Sequence, residues 1–183
     1  MDHKKFIRIK SLNKRKRNYF DVNNNFFLPL AKLVKKKFGN NKLIISIYYP
    51  GLHELNVLKI MDNEFFKKSD FLLPVIENNN NMNFYKWNKN DILNINKFGM
   101  LEPLKLNKAL PDIILVPLLA FDNNKNRVGY GKGFYDKYLN KFVRKYKKIL
   151  TVGVAFSFQK YHNLPVNKND YKLDHIITEK GIL

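Results

Sequence analysis

The amino-acid sequence contains no cysteine, so disulfide bonds and metal sites built from thiolates are excluded. It also lacks any apolar run of the roughly 18 to 20 residues that a membrane-spanning helix needs. The longest apolar run, residues 113–121, is interrupted by Pro117. The basic N-terminal segment is not followed by the apolar stretch of a secretory signal. We therefore expect a cytoplasmic protein that does not associate with membranes.

Acidic residues are scarce, with 15 Asp and Glu against 34 Lys and Arg, and the formal net charge is +19. Such a surplus suits either a nucleic-acid backbone or an anionic small molecule. The charge is spread along the chain, however, and forms a dense block only at residues 14–17. The sequence is also rich in Lys, Asn, Ile, Phe and Tyr, which have AT-rich codons. We interpret the charge as codon bias and expect no specific nucleic-acid partner. A basic nucleic-acid-binding module without enzymatic activity remains the alternative.

Motifs for zinc and for nucleophilic catalysis are missing too. The histidines, at positions 3, 53, 162 and 175, do not form H-E-x-x-H or another metal-ligand spacing. The G-x-S-x-G turn that carries a serine nucleophile is also absent. Zinc-dependent and serine- or cysteine-dependent chemistry is therefore not expected.

Hydrophobic spacing predicts helices that alternate with strands along a single domain, residues 1–183. Helical spacing occurs at residues 3–20, 25–38, 55–61 and 135–146. Strand-like runs occur at residues 43–49, 71–76, 82–87, 113–121, 149–156 and 175–178. In the first helix, Phe6, Ile9 and Leu12 fall on one face. Alternation of this kind predicts an α/β sheet with helices packed on its faces.

A glycine-rich segment, Gly129-Tyr130-Gly131-Lys132-Gly133, joins the apolar run 113–121 and its polar turn to the helix that follows. Glycines let the backbone approach an anion closely, and Lys132 adds a point charge that suits a terminal phosphate. The spacing G-x-G-x-G matches neither the Walker nor the dinucleotide-binding pattern. A phosphate site and a plain strand-to-helix turn both remain open on this pattern.

The wider segment resembles the signature of the 5-formyltetrahydrofolate cyclo-ligases. That signature runs P-x-x-A-F-D, a short turn, then R-x-G-x-G-x-G-[YF]-Y-D-x-x-L, and it matches residues 117–122, 127–136 and 138–139. Shorter matches lie on both sides, at residues 99–103 (GMLEP), 164–166 (LPV) and 170–174 (DYKLD), and at Lys4 and Arg8.

The resemblance implies a mixed, mostly parallel α/β sheet with helices on both faces. It also implies a ligase whose partners are ATP, 5-formyltetrahydrofolate and Mg²⁺. Such an enzyme forms 5,10-methenyltetrahydrofolate, ADP and phosphate through a phosphorylated formyl intermediate. We expect the protein to be a monomer.

The resemblance also assigns roles to individual residues. Lys132 and Arg127 would stabilise the transferring phosphoryl group as catalytic residues. The ATP-binding residues would be Lys4, Arg8, Arg127, Val128, Gly129, Tyr130, Gly131, Lys132, Gly133, Phe134 and Tyr135. The folate-binding residues would be Tyr49, Glu54, Tyr130 and Phe134.

Asp136 and Asp170 would bind magnesium, which prefers oxygen ligands. Three alternatives stay open for these assignments. Asp136 could be a solvated acid in the first turn of a helix. Asp174 could replace Asp170 as the metal ligand, or be an ordinary turn residue. Tyr49 could simply pack in the core.

Overall fold

The computed structural model describes residues 3–51, 53–77, 80–143, 145–146 and 148–183. The α-helices are α1 (His3–Asn18), α2 (Leu28–Phe38) and α3 (Phe134–Tyr138). A π-helix, Leu139–Val143, continues α3, and 3₁₀-helices lie at Asn24–Phe27, Val57–Asp62 and Ser157–Gln159. No helix in these ranges is long and apolar enough to span a bilayer.

The strands include those of one seven-stranded sheet and two short hairpins. They are β1 (Ile44–Ser46), β2 (Asp70–Ile76), β3 (Met82–Lys86), β4 (Leu93–Ile95), β5 (Leu101–Pro103), β6 (Ile113–Pro117), β7 (Ala120–Phe121), β8 (Arg127–Val128), β9 (Leu150–Val154), β10 (His175–Thr178) and β11 (Gly181–Ile182). The hairpins are β4–β5 and β7–β8.

The main sheet has the order β11-β10-β9-β6-β1-β2-β3. Its five inner strands run parallel to one another, and both edge strands, β3 and β11, are antiparallel to their neighbours. The sheet is therefore mixed and mostly parallel, as the resemblance implied.

Alternate residues of β6 point to opposite faces of this sheet, because side chains alternate along a strand. Ile113 and Leu115 join the hydrophobic cluster that contains α2, whereas Ile114 and Val116 join the cluster around Tyr138 and the π-helix. Both faces are covered by helices, which explains why this strand is apolar without alternation. The predicted α/β architecture is confirmed.

The first helix forms as predicted but turns an unexpected face inward. Phe6, Ile9 and Leu12 are 51%, 49% and 42% exposed. The buried residues of α1 are Ile7, Ser11 and Arg15. Only Ile7 is apolar, and it packs with the β7–β8 hairpin. The other two buried positions are polar because each has a specific partner: Ser11 contacts the hydroxyl of Tyr161 at 3.2 Å, and Arg15 lines a cavity beside α1.

The apolar run 113–121 forms two strands, not the single strand predicted. β6 ends at Pro117, which has no N–H to continue a ladder. The carbonyls of Leu118 and Leu119 then accept hydrogen bonds from Gln159 Nε2 at 3.0 and 3.1 Å. β7 pairs with β8 outside the main sheet, and this pairing leads the chain into the glycine-rich segment.

The other predicted elements occur with small changes in length. β1 is shorter than the predicted run 43–49, although the N–H of Ile47 still donates to the carbonyl of Leu72 at 2.9 Å. The helical spacing at 55–61 corresponds to the 3₁₀-helix Val57–Asp62. No pattern predicted the β4–β5 hairpin.

Candidate active site

A cavity of about 1420 Å³ opens at the carboxyl ends of β1, β2 and β6. β1 lies between β2 and β6 in the sheet, so the chain leaves β1 toward one side and returns later on the other. Ligands of open α/β sheets bind at such a topological switch point. The fold therefore places the cavity where a binding site is expected.

The predicted site residues all line this one cavity. They are Lys4, Arg8, Tyr49, Glu54, Arg127, Val128, Gly129, Tyr130, Gly131, Lys132, Gly133, Phe134, Tyr135, Asp136 and Asp170. They come from α1, the segment after β1, β8, the glycine-rich segment, α3 and the loop before β10. Folding brings together groups that are distant in sequence.

The glycine-rich segment needs glycine at two positions. Gly131 and Gly133 have φ angles of +97° and +70°, which L side chains rarely adopt. Gly129 has an ordinary φ, and a Cβ built there would meet no atom within 4 Å. Arg8 Nε donates to the carbonyl oxygen of Gly129 at 3.0 Å. The segment is thus held against α1 and presents open backbone to the cavity.

Arg127, in the strand β8 that leads into the glycine-rich segment, is a deeply buried cation with 6% exposure. Its Nη1 donates to Asp136 Oδ1 at 2.8 Å. Burial lowers the pKa of Arg127, and the carboxylates of Asp136 and Asp170 oppose that shift. Among the described residues, Arg127 Nε has no hydrogen-bond partner. An unsatisfied buried donor that lines a cavity is suited to bind an anionic ligand.

Lys132 is exposed, and its Nζ lies 5.4 Å from the centre of the Phe98 ring. Within the described ranges, no carboxylate lies within ion-pair distance of this ammonium group. Within these ranges, the ammonium group therefore makes a weak cation–π contact with Phe98 and no ion pair. The flexible side chain remains available to a phosphate in the cavity.

The two acids assigned to magnesium lie beside the cationic groups. Asp136 Oδ1 accepts hydrogen bonds from Arg127 and from the N–H of Tyr171, the latter at 3.1 Å. Asp170 Oδ2 accepts from Lys4 and from the N–H of Asn167 at 2.6 Å. The described residues contain no group of three or more acidic or histidine side chains that could hold a metal. A complete protein cage for a cation is therefore absent from these ranges.

Asp174 lies outside the cavity lining. Its Oδ2 accepts hydrogen bonds from the N–H and the hydroxyl of Thr151, both at 2.8 Å. These contacts tie the start of β10 to β9. These hydrogen bonds have a structural role, and the choice of Asp170 over Asp174 as the metal ligand stays a prediction.

Aromatic side chains form another part of the cavity wall. Tyr49 is 37% exposed and contacts Trp87 edge to face, with ring centres 6.1 Å apart. Phe134 packs against Phe98 at 5.4 Å between ring centres. Burial raises the pKa of Tyr135 well above its ordinary value, and its hydroxyl has no partner among the described residues. This wall suits a flat ring that carries hydrogen-bonding groups.

Sequence reasoning did not assign Arg15 to the site. Arg15 is 4% exposed and lines the cavity, although it belongs to the basic block 14–17. The signal lies in its spacing, because Lys4, Arg8 and Arg15 follow one another at intervals of four and seven. Such intervals place all three on one face of a helix.

Comparison with known proteins agrees with this geometry. The family model described as the 5-formyltetrahydrofolate cyclo-ligase family matches residues 1–179. A 5-formyltetrahydrofolate cyclo-ligase of Haemophilus influenzae is 30% identical over 152 residues, which are 79% of each chain. The cyclo-ligase of Mycoplasma genitalium is 33% identical over 134 residues, covering 73% of this chain and 70% of the relative.

A solved structure of the same fold is the NMR structure of 5,10-methenyltetrahydrofolate synthetase from Aquifex aeolicus. It superimposes with a TM-score of 0.74 at 29% identity, covering 98% of this chain and 91% of that one. The match of the family model over nearly the whole length, together with these relatives, establishes that the chain belongs to the 5-formyltetrahydrofolate cyclo-ligase family.

Proposed function

We propose that this protein is a ligase that converts 5-formyltetrahydrofolate to 5,10-methenyltetrahydrofolate and splits ATP into ADP and phosphate. One observation carries the proposal: a single cavity combines a cationic, glycine-rich wall with an aromatic wall. The first suits a triphosphate and the second suits a pterin. Membership of the cyclo-ligase family supports the same reaction.

The reaction needs activation because a formyl amide is a poor electrophile and its oxygen is a poor leaving group. The formyl oxygen attacks the γ-phosphorus of ATP, and the bond from that phosphorus to the ADP oxygen breaks. Nitrogen-10 then attacks the formyl carbon and loses its proton. The carbon–oxygen bond breaks next, and phosphate leaves with the former formyl oxygen. Ring closure is intramolecular and gains the advantage of proximity.

The protein's part in phosphoryl transfer is to position the groups and to neutralise charge. Arg127 is buried, lines the cavity and has an unsatisfied Nε among the described residues. Lys132 lines the same cavity, is exposed and is unpaired with any described carboxylate. We propose that Arg127 holds the triphosphate in a fixed position and that Lys132 follows the γ-phosphoryl group as charge develops.

We propose that magnesium enters with ATP and is held by Asp136 and Asp170. Magnesium usually keeps several waters and uses one or two carboxylates together with substrate phosphates. Asp136 and Asp170 both line the cavity and both raise the pKa of Arg127, so these two carboxylates fit that requirement. A full set of protein ligands around the ion is not needed. When bound, the ion offsets negative charge on the phosphates.

We propose that the pterin lies against the aromatic wall near Tyr49, Tyr130 and Phe134, with Glu54 accepting hydrogen bonds from its ring nitrogens. Each of these side chains lines the cavity.

The test is direct. Purified protein with 5-formyltetrahydrofolate, ATP and magnesium should develop the near-ultraviolet absorbance of the methenyl product. Omission of ATP should abolish the change, and release of ADP and of phosphate should match product formation one to one. Folded protein that gives no change, while an established cyclo-ligase does so in the same buffer, would refute the proposal.

A further inference from the structure

Arg15 is an unusual residue for a surface helix of basic composition. Its side chain is only 5% exposed, and its Nη1 donates to the hydroxyl of Tyr130 at 2.7 Å. The same Nη1 lies 3.8 Å from Glu54 Oε1, and the guanidinium carbon lies 5.6 Å from the centre of the Tyr130 ring. Arg15 therefore contacts both the glycine-rich segment and the segment that follows β1.

The hydrogen bonds around Tyr130 have a defined direction. Arginine can only donate, so the Tyr130 hydroxyl accepts from Arg15 and donates onward to Glu54 Oε1. Burial, reinforced by the nearby Glu54 charge, raises the pKa of Tyr130 well above its ordinary value. The phenol thus keeps the proton that this arrangement needs.

Glu54 is fixed from its other side as well. Its Oε2 accepts from the N–H of Gly51 at 2.6 Å, and its side chain is 13% exposed. A carboxylate enclosed to this extent requires a compensating cation. Among the described residues, Arg15 is the cation within 4 Å of it.

We propose that Arg15 is a positioning residue, which holds the Tyr130 ring and the Glu54 carboxylate in the orientation that binds the flat heterocycle of the folate. This inference rests on the proposed function. Tyr130 as a whole residue is 44% exposed and lines the cavity, although its hydroxyl lies between Arg15 and Glu54, so the residue retains surface for stacking. Arg15 itself does not need to touch the ligand.

The position of Arg15 separates its role from that of the other inward cations of α1. Lys4 reaches Asp170 and Arg8 reaches the Gly129 carbonyl, and both belong to the wall assigned to the triphosphate. Arg15 reaches Glu54 and the hydroxyl of Tyr130, and both of these residues are proposed to contact the folate. Loss of Arg15 should therefore affect folate binding more than nucleotide binding.

Calorimetric titration of 5-formyltetrahydrofolate without ATP, and of ATP with magnesium without folate, tests this inference. Arg15→Met should weaken folate binding about tenfold, since it breaks a hydrogen bond to a charged network, and should change ATP binding less than about twofold. Arg15→Lys should recover only part of the loss, because an ammonium group lacks the planar fork of arginine. The exposed Arg17 supplies the matched control, and Arg17→Met should bind both ligands like the wild type.

Two further variants show whether Arg15 acts through its partners. Tyr130→Phe keeps the ring, removes the hydroxyl and should also weaken folate binding selectively. In a Glu54→Gln background, Arg15→Met should weaken folate binding by less than about threefold, because no carboxylate is left unpaired. Tyr130→Phe also provides the test if Arg15→Met fails to fold.

The positioning role would be overturned if Arg15→Met weakened folate binding and ATP binding equally. It would also be overturned if Arg15→Met weakened folate binding as much in the Glu54→Gln background as in the wild type. The two proposals fail differently. A wild-type protein that does not bind 5-formyltetrahydrofolate defeats both, whereas normal wild-type binding with unchanged Arg15→Met and Tyr130→Phe defeats only the assignment of Arg15.

Discussion

Gly131 lies directly against the guanidinium group of Arg8 in the lining of the cavity, although the two residues belong to opposite halves of the chain. A Cβ atom built on Gly131 would lie 3.2 Å from the guanidinium carbon of Arg8. The φ of Gly131 is +97°, so the absence of a side chain serves two purposes. It permits the backbone conformation and it lets α1 close against the glycine-rich segment.

Gly131→Ala should reduce activity beyond what backbone strain alone explains. An alanine at positive φ costs roughly 1 to 2 kcal/mol, and here the methyl group would also displace Arg8. Gly39→Ala is the matched control, because Gly39 has a φ of +70° with nothing within 4 Å of its Cβ position. Both variants should lower the melting temperature, but only Gly131→Ala should raise the KM for ATP. Equal KM values in the two variants would show that the Arg8 contact is not functional.

Lys132→Met should lower kcat about a hundredfold or more, as removal of one transition-state charge contact commonly does. Its melting temperature should stay close to that of the wild type, since the contact of the Lys132 ammonium group within the described part of the chain is a weak one with the Phe98 ring, at 5.4 Å. Lys145→Met is the matched control, because Lys145 lies 5.5 Å from the Tyr146 ring outside the cavity lining. Wild-type turnover in Lys132→Met would mean that the glycine-rich segment is only a structural turn.

Asp136→Asn and Asp170→Asn should each raise the magnesium concentration that gives half-maximal rate, because a neutral amide is a weaker ligand for a hard cation. Asp136→Asn should also lower the rate at saturating metal, since it removes the ion-pair partner of the buried Arg127. Magnesium titrations at saturating ATP and folate measure both effects.

Asp174→Asn is the control for the metal site. It should lower the melting temperature, because Asp174 accepts two hydrogen bonds from Thr151, and it should leave the magnesium requirement unchanged. A shifted magnesium curve for Asp174→Asn but not for Asp170→Asn would reverse our choice between these acids. Unchanged curves for all three variants would mean that magnesium is held by ATP alone.

Asp70 should make the stability of the sheet edge dependent on pH. The hydrogen bond from Lys42 lowers the pKa of Asp70 below its ordinary value of 3.8, and Lys86 adds to this effect while burial opposes it. A lowered pKa means that the stabilisation is complete above the ordinary pKa and is lost as the pH falls through the folded value. The melting-temperature advantage of the wild type over Asp70→Asn should therefore shrink below about pH 4. A melting-temperature difference between the wild type and Asp70→Asn that stays constant from neutral pH down to acid unfolding would contradict this prediction.

Duplex DNA should bind weakly and should dissociate at physiological salt if the net charge of +19 reflects codon bias. Nonspecific binding by scattered cations falls steeply with salt because it depends on counterion release. Fluorescence anisotropy at increasing salt measures this. Tight binding that persists at roughly 0.15 M salt would favour a nucleic-acid-binding role.

The sequence predicted the strands that the sheet buries on both faces. Run 71–76 is continuously apolar and run 149–156 is apolar except for Thr151, and runs of that kind are accommodated inside a layered fold. The sequence also marked the turn at residues 129–133. Gly131 and Gly133 adopt positive φ angles, and this local requirement is met by glycine itself, which is visible in the sequence. The residues assigned to the cavity from the family resemblance all line it.

Tertiary structure decided which face of α1 turns inward. Local spacing grouped Phe6, Ile9 and Leu12, yet the helix buries Ser11 and Arg15 instead. Their partners, Tyr161 and Tyr130, lie more than a hundred positions away in sequence. No pattern within one helix can reveal partners at that distance.

The same reason explains why Asp170 and Asp174 have different partners and why Arg15 lines the cavity. Asp170 and Asp174 are four residues apart and chemically identical, but one reaches Lys4 of α1 and the other reaches Thr151 of β9. Arg15 is one of four adjacent cations, and its role follows from Glu54 and Tyr130 lying beside it. Composition and spacing determine which elements form, whereas the packing of distant elements determines which charges meet, because electrostatic and hydrogen-bond energies depend on distance in space.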